Sequence, residues 1–146
     1  MSLIIVKAAE LQNEAMHDDL GNVLEDIVGM QAAKGRVDRH DMGLDIITMQ
    51  PYTQFPLHTH SGHHILYILD GAIAVHYDGV DYHLEQGDSV FVPAIDPHGV
   101  KTVSYNPNPV RFLAIGYPYK HVASSERMAI VDGVSRSTRL LTKAVE

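Results

Sequence analysis

The sequence predicts an all-β fold, a double-sheet sandwich or closed barrel, preceded by a helical segment. Three observations carry this. Beyond Gly35 the apolar residues fall into short runs rich in β-branched side chains, separated by Gly, Pro, Asn and Asp. An Asp78-Gly79 pair lies between two alternating runs, the strongest short-range hairpin signal in the chain. Before Gly35 the pattern differs, with apolar residues at three- and four-residue steps.

In order, Leu11, Ala15, Leu20, Val23, Leu24, Ile27 and Val28 give the helical spacing over Ala8 to about Ala33, broken near Gly21. The strand candidates follow: Leu44 to Gln50, His64 to Leu69, Ala72 to Tyr77, Val80 to Leu84, Ser89 to Val92, Lys101 to Tyr105 and Val110 to Tyr117. Gly71, Gly87-Asp88, Pro93 and Asn106-Pro107-Asn108-Pro109 supply the turns between them. Ile65, Leu66, Ile68, Ile73, Val75, Leu84, Val90 and Val92 read as a dry core. From Lys120 onward alternation is poor, and the segment reads as peripheral, packed on the barrel or on a second subunit. The expected organisation is one structural domain: an N-terminal extension over 1–35, a β-domain over 36–118 and a C-terminal segment over 119–146.

Composition narrows the function. The chain has 146 residues and no cysteine, so disulfides, thiolate ligands and cysteine nucleophiles are excluded and any metal must be held by nitrogen and oxygen. A formal charge of −7 without clustered Lys and Arg argues against nucleic acid as a partner. No apolar run reaches the ~20 residues of a membrane helix, and the start is too short for a signal-peptide apolar region. A soluble, cytoplasmic protein without a membrane partner is the expectation.

Of the 10 histidines, four fall between positions 58 and 64. His58 and His60 are two residues apart, so on an extended chain both imidazoles leave the same face. The Ser61-Gly62 turn can swing the next strand back so that His63 or His64 joins them, but not both, because neighbours on a strand face opposite ways. His98 follows the stiff loop Pro93-Ala94-Ile95-Asp96-Pro97. Three or four neutral imidazoles converging in an apolar barrel suit iron, copper, nickel, zinc or cobalt; magnesium and calcium prefer oxygen. Outside this group, His76 and His83 read as solvent-facing or at a dimer surface, and His17, His40 and His121 as structural or solvated.

At these residues the chain resembles the cupin superfamily. The first cupin motif, His-x-His, a few residues, Glu, six residues, Gly, reads here as His58-Thr59-His60, His64 and Gly71, with His64 in the usual place of the glutamate. The second motif reads as Gly87, Pro93 and His98, with Ile95 and Thr102 at positions the family fills with Gly and Asn, and Tyr52 where the first motif begins with Gly. The resemblance covers about Leu44 to Tyr117. It implies a double-stranded β-helix, or jelly-roll barrel, with one divalent transition metal per chain (iron, nickel, zinc, manganese, copper or cobalt) on His58, His60, His64 and His98. His63 is then a neighbour of the site or exposed. Replacing Glu by His removes the anionic donor and leaves the metal a stronger Lewis acid. The resemblance also implies a homodimer.

The function expected from this is a small metalloenzyme acting on an oxygen-bearing organic molecule, with a dioxygenase as the leading reaction class. Zinc would instead direct a cyclase, isomerase or lyase, since it has no redox chemistry. A non-catalytic barrel that binds or senses a small ligand is the alternative from another class, and a metal-free sugar epimerase fits the histidine set worse. Tyr52, Gln54, Tyr67, Tyr77, Tyr105 and Asp96 are the polar and aromatic residues nearest the pocket in sequence, and nothing in the sequence picks one of them as a catalytic group.

Overall fold

The computed structural model describes residues 3–140. The strands are β1 (Glu14–His17), β2 (Val23–Val37), β3 (His40–Met49), β4 (Gln54–Thr59), β5 (His63–Asp70), β6 (Ala72–Tyr77), β7 (Val80–Glu85), β8 (Ser89–Val92), β9 (His98–Thr102), β10 (Val110–Tyr117) and β11 (Ala129–Ile130). They form a six-stranded sheet in the order β1-β2-β3-β10-β5-β8 and a five-stranded sheet in the order β11-β4-β9-β6-β7. The pairings are antiparallel and link strands far apart in sequence, β3 with β10 and β4 with β9. This is the double-sheet jelly roll that the resemblance implies. The Asp78-Gly79 turn joins β6 to β7 as expected, with Tyr77 opposite Val80 and positive φ at both turn residues.

The core lies between the sheets. Ile47, Leu66, Ile68 and Phe112 point in from one side and Phe55, Ile73, Val75 and Val100 from the other, each on the inward phase of its strand. Ile65 does not join them. On β5 the inward set is His64, Leu66 and Ile68, so period-two alternation sends Ile65 outward, where it is 41% exposed.

The helix expected over Ala8–Ala33 is replaced by strand. A single 3-10 turn, Ala8–Glu10, is the helical element among the described residues. Asp26 adopts φ 65°, and the kink puts both Leu24 and Ile27 on the buried face. A strand with this irregularity shows its apolar residues three apart, the interval that a helix would give. Pairing of β2 with β3 over ten register positions from Ile27↔Met49 to Val37↔His40, together with Gly29 and Gly35, decides the outcome against the local spacing.

The segment after β10 packs on the barrel of its own chain. Val122, Met128, Ile130 and Leu140 are buried, and β11 adds to the sheet edge through Ala129↔Thr59 and Ile130↔His58. Val122 sits where a side chain at Gly29 would be, so that glycine is what lets the segment approach β2. Residues 141–146 of the expected C-terminal segment, and Met1 and Ser2 of the N-terminal one, lie outside the described residues.

Candidate metal centre

His58 lies on β4 opposite His98 on β9, and His60 follows two positions after His58 on the same face. Cross-strand pairing and the period-two pleat therefore bring three imidazoles together. Ring centroids are 4.4 Å apart for His58 and His98, 4.6 Å for His60 and His98, and 5.5 Å for His58 and His60. Each offers a ring nitrogen lying within 4.8 Å of the other two. His64, on β5, enters the same cavity from the facing sheet and stacks on His60 at 3.8 Å and 14°. Its neighbour His63 turns outward, as alternation requires.

The outer nitrogen of each of the three rings is committed. Nδ1 of His58 donates to the Pro56 carbonyl at 2.6 Å, that of His60 to the Gly62 carbonyl at 3.0 Å, and that of His98 to the Asp96 carbonyl at 3.0 Å. A proton fixed on Nδ1 leaves Nε2 of a neutral ring with a lone pair. Nε2 of His60 and Nε2 of His98 nevertheless face each other at 3.1 Å. Two lone pairs at this distance repel unless a cation lies beside both, so the donor set fits a metal ion. Backbone carbonyls holding Nδ1 are the usual support of metal-bound histidine.

Protonation is no substitute for the ion. Burial first, then the nearby His98, hold His60 down to about 4. His58 is held well below its ordinary value by burial and by His98 and His60, and burial lowers His64 and His98 as well. All four rings are neutral at pH 7, the form that binds metal.

The loop before His98 is sewn to the His60–His63 segment. The Ile95 N–H donates to the His60 carbonyl at 2.9 Å and the Ala94 N–H to Nδ1 of His63 at 3.0 Å. The Tyr77 hydroxyl donates to Asp96 at 2.6 Å. His63 thus positions the loop. Both departures from the family's glycines occur where the backbone is left-handed, at Tyr52 with φ 61° and Ile95 with φ 63°, so the backbone shape persists without the residue that adopts it most easily. Thr102, standing for the expected Asn, exchanges hydrogen bonds with the Thr53 backbone: it accepts from its N–H at 3.1 Å and donates to its carbonyl at 3.2 Å.

Around the imidazoles the wall is apolar: Ile47, Phe55, Leu66, Val100, Phe112 and Met128. One charged side chain lines it, Arg127, which is 4% exposed. It pairs with buried Asp45 at 2.6 Å, and the Tyr119 hydroxyl donates to the same carboxylate at 2.7 Å. The free space among these groups is about 30 Å³, enough for a small head group when a water needs about 10–15 Å³. None of Tyr52, Gln54, Tyr67, Tyr77, Tyr105 and Asp96 lines the cavity. Tyr52, Tyr67 and Tyr105 are exposed, since proximity along the chain does not set the direction of a side chain. Arg127 was missed because it lies beyond the motifs, in a segment without periodicity. The sole hint is that it directly precedes the apolar run Met128-Ala129-Ile130-Val131.

No curated protein matches the chain. Among solved structures it is similar to the polyketide cyclase RemF from Streptomyces resistomycificus, with TM-score 0.65, 18% identity, and 89% of this chain and 86% of that one covered. KdgF from Halomonas sp. gives TM-score 0.64, 18% identity and coverage of 82% and 96%. An RmlC-like cupin from Shewanella frigidimarina gives 0.63, 19%, 82% and 95%. At such identities the likeness shows the fold. The cupin-domain family matches residues 45–116, the stretch that carries both motifs and all four buried histidines, and the chain belongs to the cupin superfamily.

Proposed function

We propose that the protein is a divalent-metal cupin in which His58, His60 and His98 hold one transition-metal ion, His64 completes the set, and a small oxygen-bearing organic molecule binds beside it. The observation that supports this most is the 3.1 Å approach of two Nε2 atoms whose rings both have Nδ1 occupied by a backbone carbonyl. Neutral nitrogen donors leave the charge of a bound ion undiminished, so it supplies Lewis acidity toward a substrate oxygen and, if iron, manganese, nickel or copper, redox chemistry with dioxygen. The chain's own contribution is to exclude water with the apolar wall, to fix the imidazole tautomers, and to hold the His98 loop through His63.

Dioxygenase-type chemistry is the leading reading. Zinc-dependent Lewis-acid chemistry is the second, favoured by the fold-level similarity to a polyketide cyclase. The test is elemental analysis of protein purified without chelating resin and reconstituted with each candidate metal, followed by oxygen-consumption assays. About one redox-active metal per chain, lost in His98→Ala, supports the first reading; zinc at that stoichiometry supports the second. No metal after reconstitution would leave a metal-free ligand-binding barrel. His64→Ala tests the fourth ligand, and unchanged affinity would remove it from the set.

A homodimer is proposed with it. On the outer face of the larger sheet Leu44, Ile115, Ile65 and Phe91 are successive cross-strand neighbours, and Ile65, Tyr67 and Phe91 are exposed there. An apolar row running out to the edge strand β8 fits a second copy. Analytical ultracentrifugation should show a dimer that Phe91→Arg dissociates; a monomeric wild-type protein would end this reading.

A further inference from the structure

We propose that Arg127 is an anion anchor in the histidine cavity and that the ligand there is a small organic carboxylate. The inference rests on the cavity being the ligand site proposed above and names what it takes.

The guanidinium is only partly used. Nη1 makes both of its protein hydrogen bonds, to Asp45 at 2.6 Å and to the Lys120 carbonyl at 3.0 Å. Nε and Nη2 donate to no protein acceptor among the described residues. Yet no buried side-chain nitrogen or oxygen there lacks a partner, so these two nitrogens keep surface open to water. Arg127 is 4% exposed and is the one charged side chain lining the histidine cavity, which is where a ligand would meet the open edge. The Tyr119 ring covers the guanidinium on one side at 5.8 Å and Asp45 fixes one end of it. The Nε–Nη2 edge is therefore held in place, and that edge matches the two oxygens of a carboxylate.

Charge points the same way. Asp45 offsets Arg127, and the other polar groups lining the cavity are neutral imidazoles. The lining thus offers nothing to balance a divalent cation, whereas an anionic ligand would balance it. The 30 Å³ of free space admits the carboxylate and little more, leaving the remainder of the molecule at the mouth. Water can satisfy these two donors in the free protein, and a carboxylate that displaces it gains charge-assisted hydrogen bonds from both.

The experiment is a titration of the full chain, metal-free and metal-loaded, with acetate and with its neutral counterpart acetamide at constant ionic strength, followed by calorimetry or NMR. Acetate should saturate a single site and acetamide should not. Arg127→Lys keeps a cation beside Asp45 but removes the second pair of donors, and should weaken acetate at least tenfold while metal content and melting temperature hold. Should Arg127→Lys fold poorly, the paired change Asp45→Asn with Arg127→Gln removes both charges together and should abolish acetate binding. Acetate that fails to bind wild-type protein, or binds Arg127→Lys equally well, overturns the proposal. Failure to take up metal overturns the metal reading alone, because the acetate result on metal-free protein still decides Arg127.

Discussion

Acid should destabilise the metal-free protein well above the range in which ordinary carboxylates titrate. His60 titrates at about 4 in the folded chain against 6.5 for the free side chain. A base with a depressed folded value is neutral in both states at pH 7. As pH falls below 6.5 the unfolded chain takes up the proton first, so stability is lost down to the folded value. The interval of 2.5 units, at about 1.36 kcal/mol per unit, makes His60 alone worth about 3 kcal/mol, most of it gone by about pH 4.5. His58, His64 and His98 shift the same way and add to the loss. Asp45 opposes it, because burial raises its carboxyl and the folded state then gains a proton early. The comparison that isolates His60 is therefore wild type against His60→Leu. In chelator, urea unfolding at steps from about pH 7 to about pH 4.5 should show wild-type stability falling more steeply than the variant's, by about 2 to 3 kcal/mol over the interval. At about 3 °C per kcal/mol for a chain of this size, the difference in melting temperature is about 6–9 °C. Parallel pH profiles for the two proteins would refute the neutral, desolvated imidazole.

Three further outcomes follow from the geometry. Ile95→Gly should stabilise the protein by about 0.5–1 kcal/mol, since a left-handed β-branched residue costs about 1–2 kcal/mol and glycine's extra chain entropy returns part of it; a lower melting temperature would contradict the strain at φ 63°. Gly62→Ala would drive a Cβ into the Pro118 carbonyl oxygen and shift the turn whose carbonyl holds His60, costing about 1–3 kcal/mol and weakening metal uptake, both readable from a thermal melt with and without metal. Asp45→Ala strips a buried arginine of its counter-charge and should cost about 3–5 kcal/mol in urea unfolding; a loss below about 1 kcal/mol, the worth of a surface pair, would mean that Arg127 does not depend on it.

The central half of the chain was legible because its signals are local. His58 and His60 share a face by strand period alone, and Asp78-Gly79 needs its hairpin whatever surrounds it. That His63 and His64 cannot both point inward likewise follows from alternation, while the choice of His64 rests on its spacing to Gly71 in the cupin motif that the chain resembles. What lay beyond reach depended on partners distant in sequence. Asp26 disguises β2 as a helix, and only its pairing with β3 exposes the difference. The contact between Arg127 and Asp45 spans 82 positions, and no periodicity in either segment announces it.

That span also bears on when the site closes. A loop of 82 residues is among the later ones to form, because its closure entropy must be met before its contacts contribute. The three imidazoles, gathered within 40 residues by β4 and β9, can assemble while the C-terminal segment is still free, so an ion would enter through an open barrel. Once Val122, Met128 and Ile130 dock and Arg127 finds Asp45, that segment walls one side of the cavity. The ion then leaves more readily when that segment detaches. Its residence time would be governed by local unfolding as well as by bond strength, and removal by chelator should be slow in buffer and accelerate in urea too dilute to unfold the barrel.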